Sequence, residues 1–303
     1  MGRFCFCGTV ENQNIPAKGH SYIDGICTVC GNQIPAYTKQ WNISLQDDFG
    51  VHFYIHVDSN VLEQTTLKVY LGGVESTYDL SELTLTEFGY QITVHLGASQ
   101  MNKEITVKTI VDSETVEIKN YSVRQYCDII LADEAYSQYH SLVKEMLNYG
   151  AMAQVYFDYN AKNLANEGIT GTATTDVPDT TEELDVSDKI SSLNFYGASL
   201  VYRDRIAVRY YFTGDVTDCT FTANGNTYTP VAKGGMYYVE IADILPQNID
   251  QQITLTVTDA NGNALSATYG PMNYIVRMYE KGSADLQNLL KALYNYHLAA
   301  KTL

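Results

Sequence analysis

The residues best suited to chemistry lie near the start of the chain, where four of the six cysteines fall within the first thirty positions. Cys27-Thr-Val-Cys30-Gly31 has the spacing of a zinc knuckle, in which a turn presents two thiolates to one ion. Cys5-Phe-Cys7-Gly8 is similar to a shortened version of that turn, and His20 precedes Cys27 by seven residues. Because structural zinc takes four nitrogen or sulfur ligands, we predict one zinc ion bound by four of five candidates. Spacing ranks these candidates in the order Cys27 and Cys30, then Cys7, His20 and Cys5.

A metal suits this segment because about thirty residues cannot fold on a hydrophobic core alone. Cysteines clustered at one end also favour a metal over a disulfide scaffold, whose cysteines would be spread through the fold. One or two disulfides are the alternative. A catalytic zinc would keep a position for water and usually recruits His or Glu, so we expect a structural role.

The composition is that of a globular chain. Of 303 residues, 45% are apolar and 18% are charged, enough for about two domains and a small module. Nineteen basic and 35 acidic residues give a formal charge of −16, which repels phosphate backbones and anionic lipid, so we expect no nucleic-acid partner.

No apolar run approaches the ~18 residues of a membrane span, and the opening MGRFCFCGTV lacks the apolar core of a signal peptide. We therefore expect no membrane insertion.

The most informative pattern is an internal duplication. Residues 142–153 read LVKEMLNYGAMA and align without a gap with residues 289–300, LLKALYNYHLAA. Upstream, the run at 51–57 corresponds to the run at 206–212. The order of strands and then helices is the same in both halves, which indicates two copies of one domain.

Each copy is predicted to begin with antiparallel strands. Apolar and polar residues alternate at 51–57, and Gly-Gly or Asn-Gly pairs separate the short runs. Short strands at this spacing are typical of an Ig-like β-sandwich.

Each copy is then predicted to end in helices. A short helix is expected from Val123 to Leu131, and a long one from about Glu134 to Tyr159. Gly150 lies in the apolar stripe of the long helix and would let it sit close against the sheet. In the second copy, Pro271 is predicted to begin the short helix.

We therefore predict a mainly β fold with helices. Its parts are a zinc-ribbon-like module at 1–36, a β-sandwich with helices at 37–167, an acidic Thr-rich linker at 168–188, and a second β-sandwich with helices at 189–303. The linker cannot bury much apolar surface, so we expect an extended, solvated segment there.

Three motifs carry a resemblance to a known kind of module. They are GHxYxxGxCxxCG at 19–31, YSVxxY at 121–126 and LNYGAxAQxYFxYN at 147–160. Together they resemble repeats in large secreted or wall-attached proteins of gut Clostridia and Ruminococcus-type bacteria. The second copy departs from the pattern where His297-Leu-Ala-Ala replaces the Gly-Ala-x-Ala-Gln run. The resemblance implies an extracellular or cell wall-attached location, beside other modules of a larger surface protein, with this chain as a fragment; it implies no particular chemistry.

One pair of residues could support nucleophilic catalysis. Cys127 and His140 both fall in the helical part of the first copy and could form a thiol–imidazole pair. Their equivalents in the second copy are Ile275 and Gln287, so the shared fold does not need them, and an apolar helix face also explains Cys127. No GxSxG, HExxH, P-loop or Rossmann glycine motif occurs.

The sequence therefore favours a non-enzymatic segment for recognition or adhesion. Tyrosine is abundant, with 25 residues, and combines a large ring with a polar tip that suits contact surfaces. We predict Tyr54, Arg209 and Tyr211 as contact residues. The partner is expected to be a host protein, such as an immunoglobulin, or a glycan, with protein favoured because the chain has a single Trp. The alternatives are a structural spacer and an enzyme formed between the two copies.

Overall fold

The computed structural model describes residues 22–44, 49–203, 205–242 and 244–303, and the backbone alone at 3–4 and 10–11. Within this part the fold is mainly β, with several antiparallel sheets and four helices. Two short antiparallel pairs come first: β1 (Arg3–Phe4) with β2 (Val10–Glu11), and β3 (Tyr22–Ile23) with β4 (Ile26–Cys27).

Two antiparallel sheets follow in the first half of the chain. Sheet I contains β5 (Ala36–Ser44), β6 (Phe49–Val57), β9 (Thr84–Thr86) and β10 (Gly89–Leu96), in the spatial order β5-β6-β10-β9. Sheet II contains β7 (Thr65–Leu71), β8 (Val74–Asp79), β11 (Ile105–Val111) and β12 (Glu114–Tyr121), in the order β12-β11-β7-β8.

Two further sheets form in the second half. Sheet III contains β14 (Leu193–Val201), β15 (Ala207–Gly214), β18 (Val231–Lys233) and β19 (Met236–Ile241), in the order β14-β15-β19-β18. Sheet IV contains β13 (Asp185–Asp188), β16 (Thr220–Ala223), β17 (Asn226–Tyr228), β20 (Ile253–Thr258) and β21 (Ala264–Tyr269), in the order β13-β21-β20-β16-β17.

In each half, the two sheets pack face to face around aromatic rings. The ring centroid of Tyr121 in sheet II lies 4.8 Å from both Phe53 and Trp41 in sheet I. In the second half, Phe212 of sheet III meets Phe221 of sheet IV at 5.4 Å. The apolar residues of the alternating strands thus face inward and bury their surface, which is the main stabilising contribution to each half.

Four helices complete the halves: α1 (Val123–Ala132) and α2 (Ser137–Tyr156) after sheet II, and α3 (Pro271–Lys281) and α4 (Ala284–Ala300) after sheet IV. The hydroxyl of Ser122 caps α1 by accepting a hydrogen bond from the backbone N–H of Gln125 at 3.0 Å. None of the helices in the described ranges is long and apolar enough to cross a membrane.

The long helix is shorter at both ends than its apolar stripe predicts. The carboxylate of Asp133 accepts a hydrogen bond from the N–H of Ala135 and holds residues 134–136 in a tight 3-10 turn, so α2 begins at Ser137. At the other end, Asp158 adopts a positive φ of 49°, which α-helical residues do not adopt. The helix therefore ends at Tyr156.

The same strand order occurs in both halves. Sheets I and III share one order, and sheets II and IV share another, apart from the added strand β13 at the edge of sheet IV. Sheets I and II with α1 and α2 are called the first unit below, and sheets III and IV with α3 and α4 the second unit.

Strand β13 lies inside the segment that was expected to be a linker. Its residues pair with β21, from Asp185 opposite Thr268 to Asp188 opposite Leu265, while their own side chains are exposed. The second unit therefore begins at least four residues earlier than 189. The amino-acid composition does not predict this strand, because it is attached to β21 through backbone hydrogen bonds and its side chains bury no apolar surface.

The linker is also fixed to both long helices. The N–H of Ala173 donates to the buried carboxylate of Glu145 on α2 at 2.5 Å. On α4, the amide of Asn295 accepts from the N–H of Thr175 at 3.1 Å and donates to its carbonyl at 2.8 Å. Val177 is 4% exposed. This stretch therefore differs from the solvated segment expected, because the helices supply buried polar side chains that match its backbone.

The two units meet where α2 packs against α4. The rings of Tyr149 and Tyr296, which the duplication makes equivalent, stack with centroids 6.0 Å apart. Leu142 near the start of α2 and Ala300 at the end of α4 line one cavity, so the helices run antiparallel. Buried apolar residues of both units form one continuous cluster.

Gly150 lets a neighbouring turn pack tightly against the other side of α2. A Cβ at this position would lie 2.5 Å from Sδ of Met101 and 3.0 Å from the carbonyl oxygen of Ala98. We expected Gly150 to let the helix approach the sheet. The structure shows instead that the helix contacts the 3-10 turn Ala98–Gln100, which follows β10.

We predict that Gly150→Leu lowers the free energy of unfolding by about 3 kcal/mol, because the added side chain overpacks this contact. Ser141→Leu is the matched control, since Ser141 is exposed on the same helix. Urea denaturation followed by circular dichroism measures both. Equal midpoints for Gly150→Leu and the wild type would show that α2 does not pack tightly at Gly150.

Candidate functional site

The CxxCG segment forms the turn expected of a knuckle. The N–H of Gly31 donates to the carbonyl of Cys27 at 2.9 Å, and Gly31 has a φ of +73°, a conformation that favours glycine. Cys27 is buried and Cys30 is exposed.

The other predicted ligands, Cys5, Cys7 and His20, lie outside the described residues. Among the residues that the structure does describe, no group of three or more His, Cys, Asp or Glu side chains could hold a metal ion. The zinc site therefore stays a prediction that rests on the knuckle and the sequence spacing.

Two of the three predicted contact residues lie side by side on the outer face of sheet III. Arg209 and Tyr211 alternate with the buried Val208, Tyr210 and Phe212 along β15. Because successive strand residues point to opposite faces, both side chains lie on the solvent-accessible side.

The neighbouring strand β19 adds two residues to this surface. Tyr238 pairs with Tyr211, and Glu240 pairs with Arg209. The guanidinium of Arg209 lies over the ring of Tyr238, 4.7 Å from its centroid, and the rings of Tyr211 and Tyr238 are 6.1 Å apart. We call Arg205, Arg209, Tyr211, Tyr238 and Glu240 the Tyr/Arg face.

Glu240 fixes the two arginines of the Tyr/Arg face. Its carboxylate accepts hydrogen bonds from Nε of Arg209 at 2.5 Å and from Nε of Arg205 at 2.9 Å. Partial burial alone would raise the pKa of Glu240, but the hydrogen bonds and charges of both guanidinium groups outweigh it and hold the pKa below its ordinary value. The carboxylate is therefore charged at neutral pH and orients both arginines.

Tyr54 does not join this surface. It lies on β6 of the first unit, is 9% exposed, and packs edge-on against Phe88 with ring centroids 5.6 Å apart. On the same strand, Nδ1 of His52 is 2.8 Å from the hydroxyl oxygen of Thr93. On the equivalent face of the first unit, Tyr54 and His52 are therefore engaged in contacts with neighbouring side chains of the same unit.

Residue patterns could have identified the rest of the Tyr/Arg face. In Met236-Tyr-Tyr-Val-Glu-Ile241, Val239 and Ile241 are buried, which places Tyr238 and Glu240 on the opposite side. Tyr196, at the bulge in β14, is 71% exposed and carries no periodic signal because the bulge interrupts the alternation.

Cys127 and His140 have separate structural partners. Cys127 is fully buried in α1, and burial raises the pKa of its thiol, so the nucleophilic thiolate is disfavoured. Nε2 of His140 lies 2.9 Å from the carbonyl oxygen of Ile130, which caps the end of the same helix.

Comparison with models of known protein families finds no match for this chain, and comparison with curated proteins finds no significant match.

We predict about one zinc ion per purified chain by elemental analysis. Cys27→Ser/Cys30→Ser should lose it, because the best-spaced ligand pair is removed. Cys219→Ser, in the second unit, is the control and should retain the metal. Metal-free wild-type protein with Cys27 and Cys30 oxidised would rule out the zinc site.

Glu240→Gln should lower the free energy of unfolding by about 1 kcal/mol at pH 7, since it removes a partly buried ion pair. The folded-state pKa of Glu240 is depressed, so this contribution is present above the ordinary value of 4.5 and disappears as the pH falls through the folded value. The variant and the wild type should therefore converge once the pH lies below the folded-state pKa of Glu240. Asp128→Asn, which removes a more exposed partner of Arg124, should show a smaller difference at pH 7. If the free energies of unfolding of Glu240→Gln and the wild type still differ in acid, the ion pair of Glu240 with the arginines does not account for the difference.

Proposed function

We propose that this chain is a non-enzymatic recognition segment of an extracellular or wall-attached protein, and that it binds a host protein such as an immunoglobulin through the Tyr/Arg face. The observation that carries the proposal is the stack of Arg209, Tyr238 and Tyr211 on a solvent-accessible sheet face. Tyrosine and arginine are enriched among the residues that dominate binding energy at protein interfaces.

Preorganisation adds to the suitability of this surface. Glu240 orients both arginines before any partner arrives, and the hydroxyl of Ser199 donates to that of Tyr211 at 3.2 Å. Side chains that are already ordered lose less conformational entropy on binding. The chain therefore has a ready-formed contact patch on a rigid sheet.

The position of the single tryptophan favours protein over glycan. Trp41 packs in the first unit against Tyr121 and Tyr126, with ring centroids 4.8 and 5.1 Å away. It is therefore not part of the Tyr/Arg face, where a sugar-binding platform would use such a ring.

The finer description of the fold belongs to the same proposal. We infer that each pair of packed sheets is an Ig-like β-sandwich and that the segment before β5 is a zinc-ribbon-like module. The antiparallel strand orders of sheets I to IV and the knuckle turn at Cys27 support this assignment.

Surface plasmon resonance with the immobilised chain tests the function, using purified immunoglobulins and a glycan array as analytes. Tyr211→Ala/Tyr238→Ala should weaken protein binding by on the order of 10–100-fold, because two aromatic contacts are lost. Tyr136→Ala/Tyr139→Ala is the matched control, since both tyrosines are exposed and belong to the first unit rather than to sheet III.

Equal losses in the two double variants would contradict the assignment of the Tyr/Arg face. Binding to glycans alone would replace the protein partner by a sugar. No binding to any analyte would favour the structural spacer.

A further inference from the structure

The outer face of sheet I carries two histidines on neighbouring strands, His52 on β6 and His95 on β10. The residue that follows each of them, Phe53 or Leu96, is buried in the core. Because successive strand residues point to opposite faces, both imidazoles lie on the side of sheet I that faces away from sheet II. The Tyr/Arg face belongs to sheet III, so the proposed function uses neither histidine.

The strand register makes the two histidines diagonal neighbours. His52 lies opposite Thr93, and His95 lies opposite Gly50, which precedes His52 by two residues on β6. The Cβ atoms of diagonal neighbours in an antiparallel pair lie within about 8 Å of each other, a separation that aromatic and long side chains span. The two imidazoles are therefore placed to approach one another across the strands.

The imidazole of His52 lies on the side toward His95. Its Cε1 and Nε2 atoms are 3.6 and 3.7 Å from the position that a Cβ would take at Gly50, the residue opposite His95. Its Nδ1 atom is 2.8 Å from the hydroxyl oxygen of Thr93 and 3.1 Å from the amide nitrogen of Gln91. A histidine that binds a metal commonly has this arrangement, in which a hydrogen bond at one ring nitrogen fixes the ring and the other nitrogen meets the ion.

The surroundings of His52 favour its neutral form. Partial burial, and in second place the charge of His95, lower the pKa of His52 from its ordinary value of 6.5. The ring is therefore uncharged at pH 7, and a metal ion does not have to displace a proton from it. The effect of His95 on this pKa agrees with the diagonal placement of the two rings.

The second unit has different chemistry at the same place. There Arg209 lies opposite Glu240, as His52 lies opposite Thr93 in the first unit. A guanidinium group is permanently charged and has no lone pair for a cation. The shared scaffold therefore does not require the histidine pair, which is a feature of the first unit.

We propose that His52 and His95 together bind a divalent late transition-metal ion, Zn²⁺, Ni²⁺ or Cu²⁺, through one nitrogen of each imidazole. Imidazole is a good ligand for these ions, whereas Mg²⁺ and Ca²⁺ prefer oxygen. No group of three or more His, Cys, Asp or Glu side chains could hold a metal in the part of the chain that the structure describes, so water completes the coordination shell. The bound ion links β6 to β10.

Isothermal titration calorimetry of the full chain with nickel chloride at pH 7 tests this site. His52→Gln and His95→Gln should each weaken nickel binding by more than about 10-fold, because each removes one of the two ligands. Magnesium chloride should give no binding. Nickel binding should also weaken as the pH falls, because protons compete for the imidazole nitrogens.

His56→Gln is the matched control. His56 lies on the same face of β6, about 13 Å along the strand from His52, and its Nε2 is 3.1 Å from the carboxylate of Asp58. This variant should bind nickel as the wild type does. Nickel should raise the melting temperature of the wild type and of His56→Gln, and it should not raise that of His95→Gln. Because His95 is exposed, its replacement should leave the melting temperature of the metal-free chain unchanged.

Cys27→Ser/Cys30→Ser separates this site from the knuckle and should retain nickel binding at the histidines. The proposal is overturned if the wild-type chain binds no nickel, or if neither His52→Gln nor His95→Gln weakens the binding. An equal loss in His56→Gln would contradict it, because the binding would then not depend on the diagonal pair. Loss of all nickel binding in Cys27→Ser/Cys30→Ser would also contradict it, since the ion would then bind at the knuckle.

Discussion

The antiparallel contact between α2 and α4 is the interaction on which both units depend. At its centre, each helix sends a tyrosine into the other unit: the hydroxyl of Tyr149 donates to the carbonyl of Tyr202 at 3.0 Å, and the ring of Tyr296 packs against Phe49 at 6.4 Å. Burial raises the pKa of both phenols, so both stay neutral in the interface. Separating the units would expose both rings to water, which makes the pair of helices the shared core of the molecule.

Around this shared core, the two copies have diverged in side chains that contact solvent or a turn. Where the first unit has Gly150 against the carbonyl of Ala98, the second has His297, whose Nδ1 donates to the carbonyl of Pro246 at 2.7 Å. Burial lowers the pKa of His297, and its neutral form can make this hydrogen bond. The difference between a covered Tyr54 and a solvent-accessible Arg209 follows the same rule: the scaffold is retained while the surfaces change.

Much of the architecture could be predicted from residue patterns, and the exceptions have physical reasons. The mainly β fold with helices is confirmed, since alternation and caps such as Ser122 are local signals. No local sequence pattern predicts that α2 packs against α4, because buried polar residues such as Glu145 and Asn295 interrupt the apolar stripes of the two helices. Their partners are backbone groups of the linker, and these leave no trace in residue type.

Only part of the candidate site could be predicted, because the rest depends on which strands pair. Arg209 and Tyr211 stand out along one strand, but their contact with Tyr238 and Glu240 depends on which strands pair. The order of sheet III places β19 beside β15, although some twenty residues separate them in the chain. Pairing between such distant strands cannot be derived from a local pattern.

Differential scanning calorimetry of the whole chain tests most directly whether the two units form one body through α2 and α4. A single transition is expected for residues 36–303, with equal calorimetric and van't Hoff enthalpies. Tyr149→Ala should split it into two, because truncating that ring removes the central contact between the helices. Two well-separated transitions in the wild-type protein would contradict the account, since each unit would then be stable without the other.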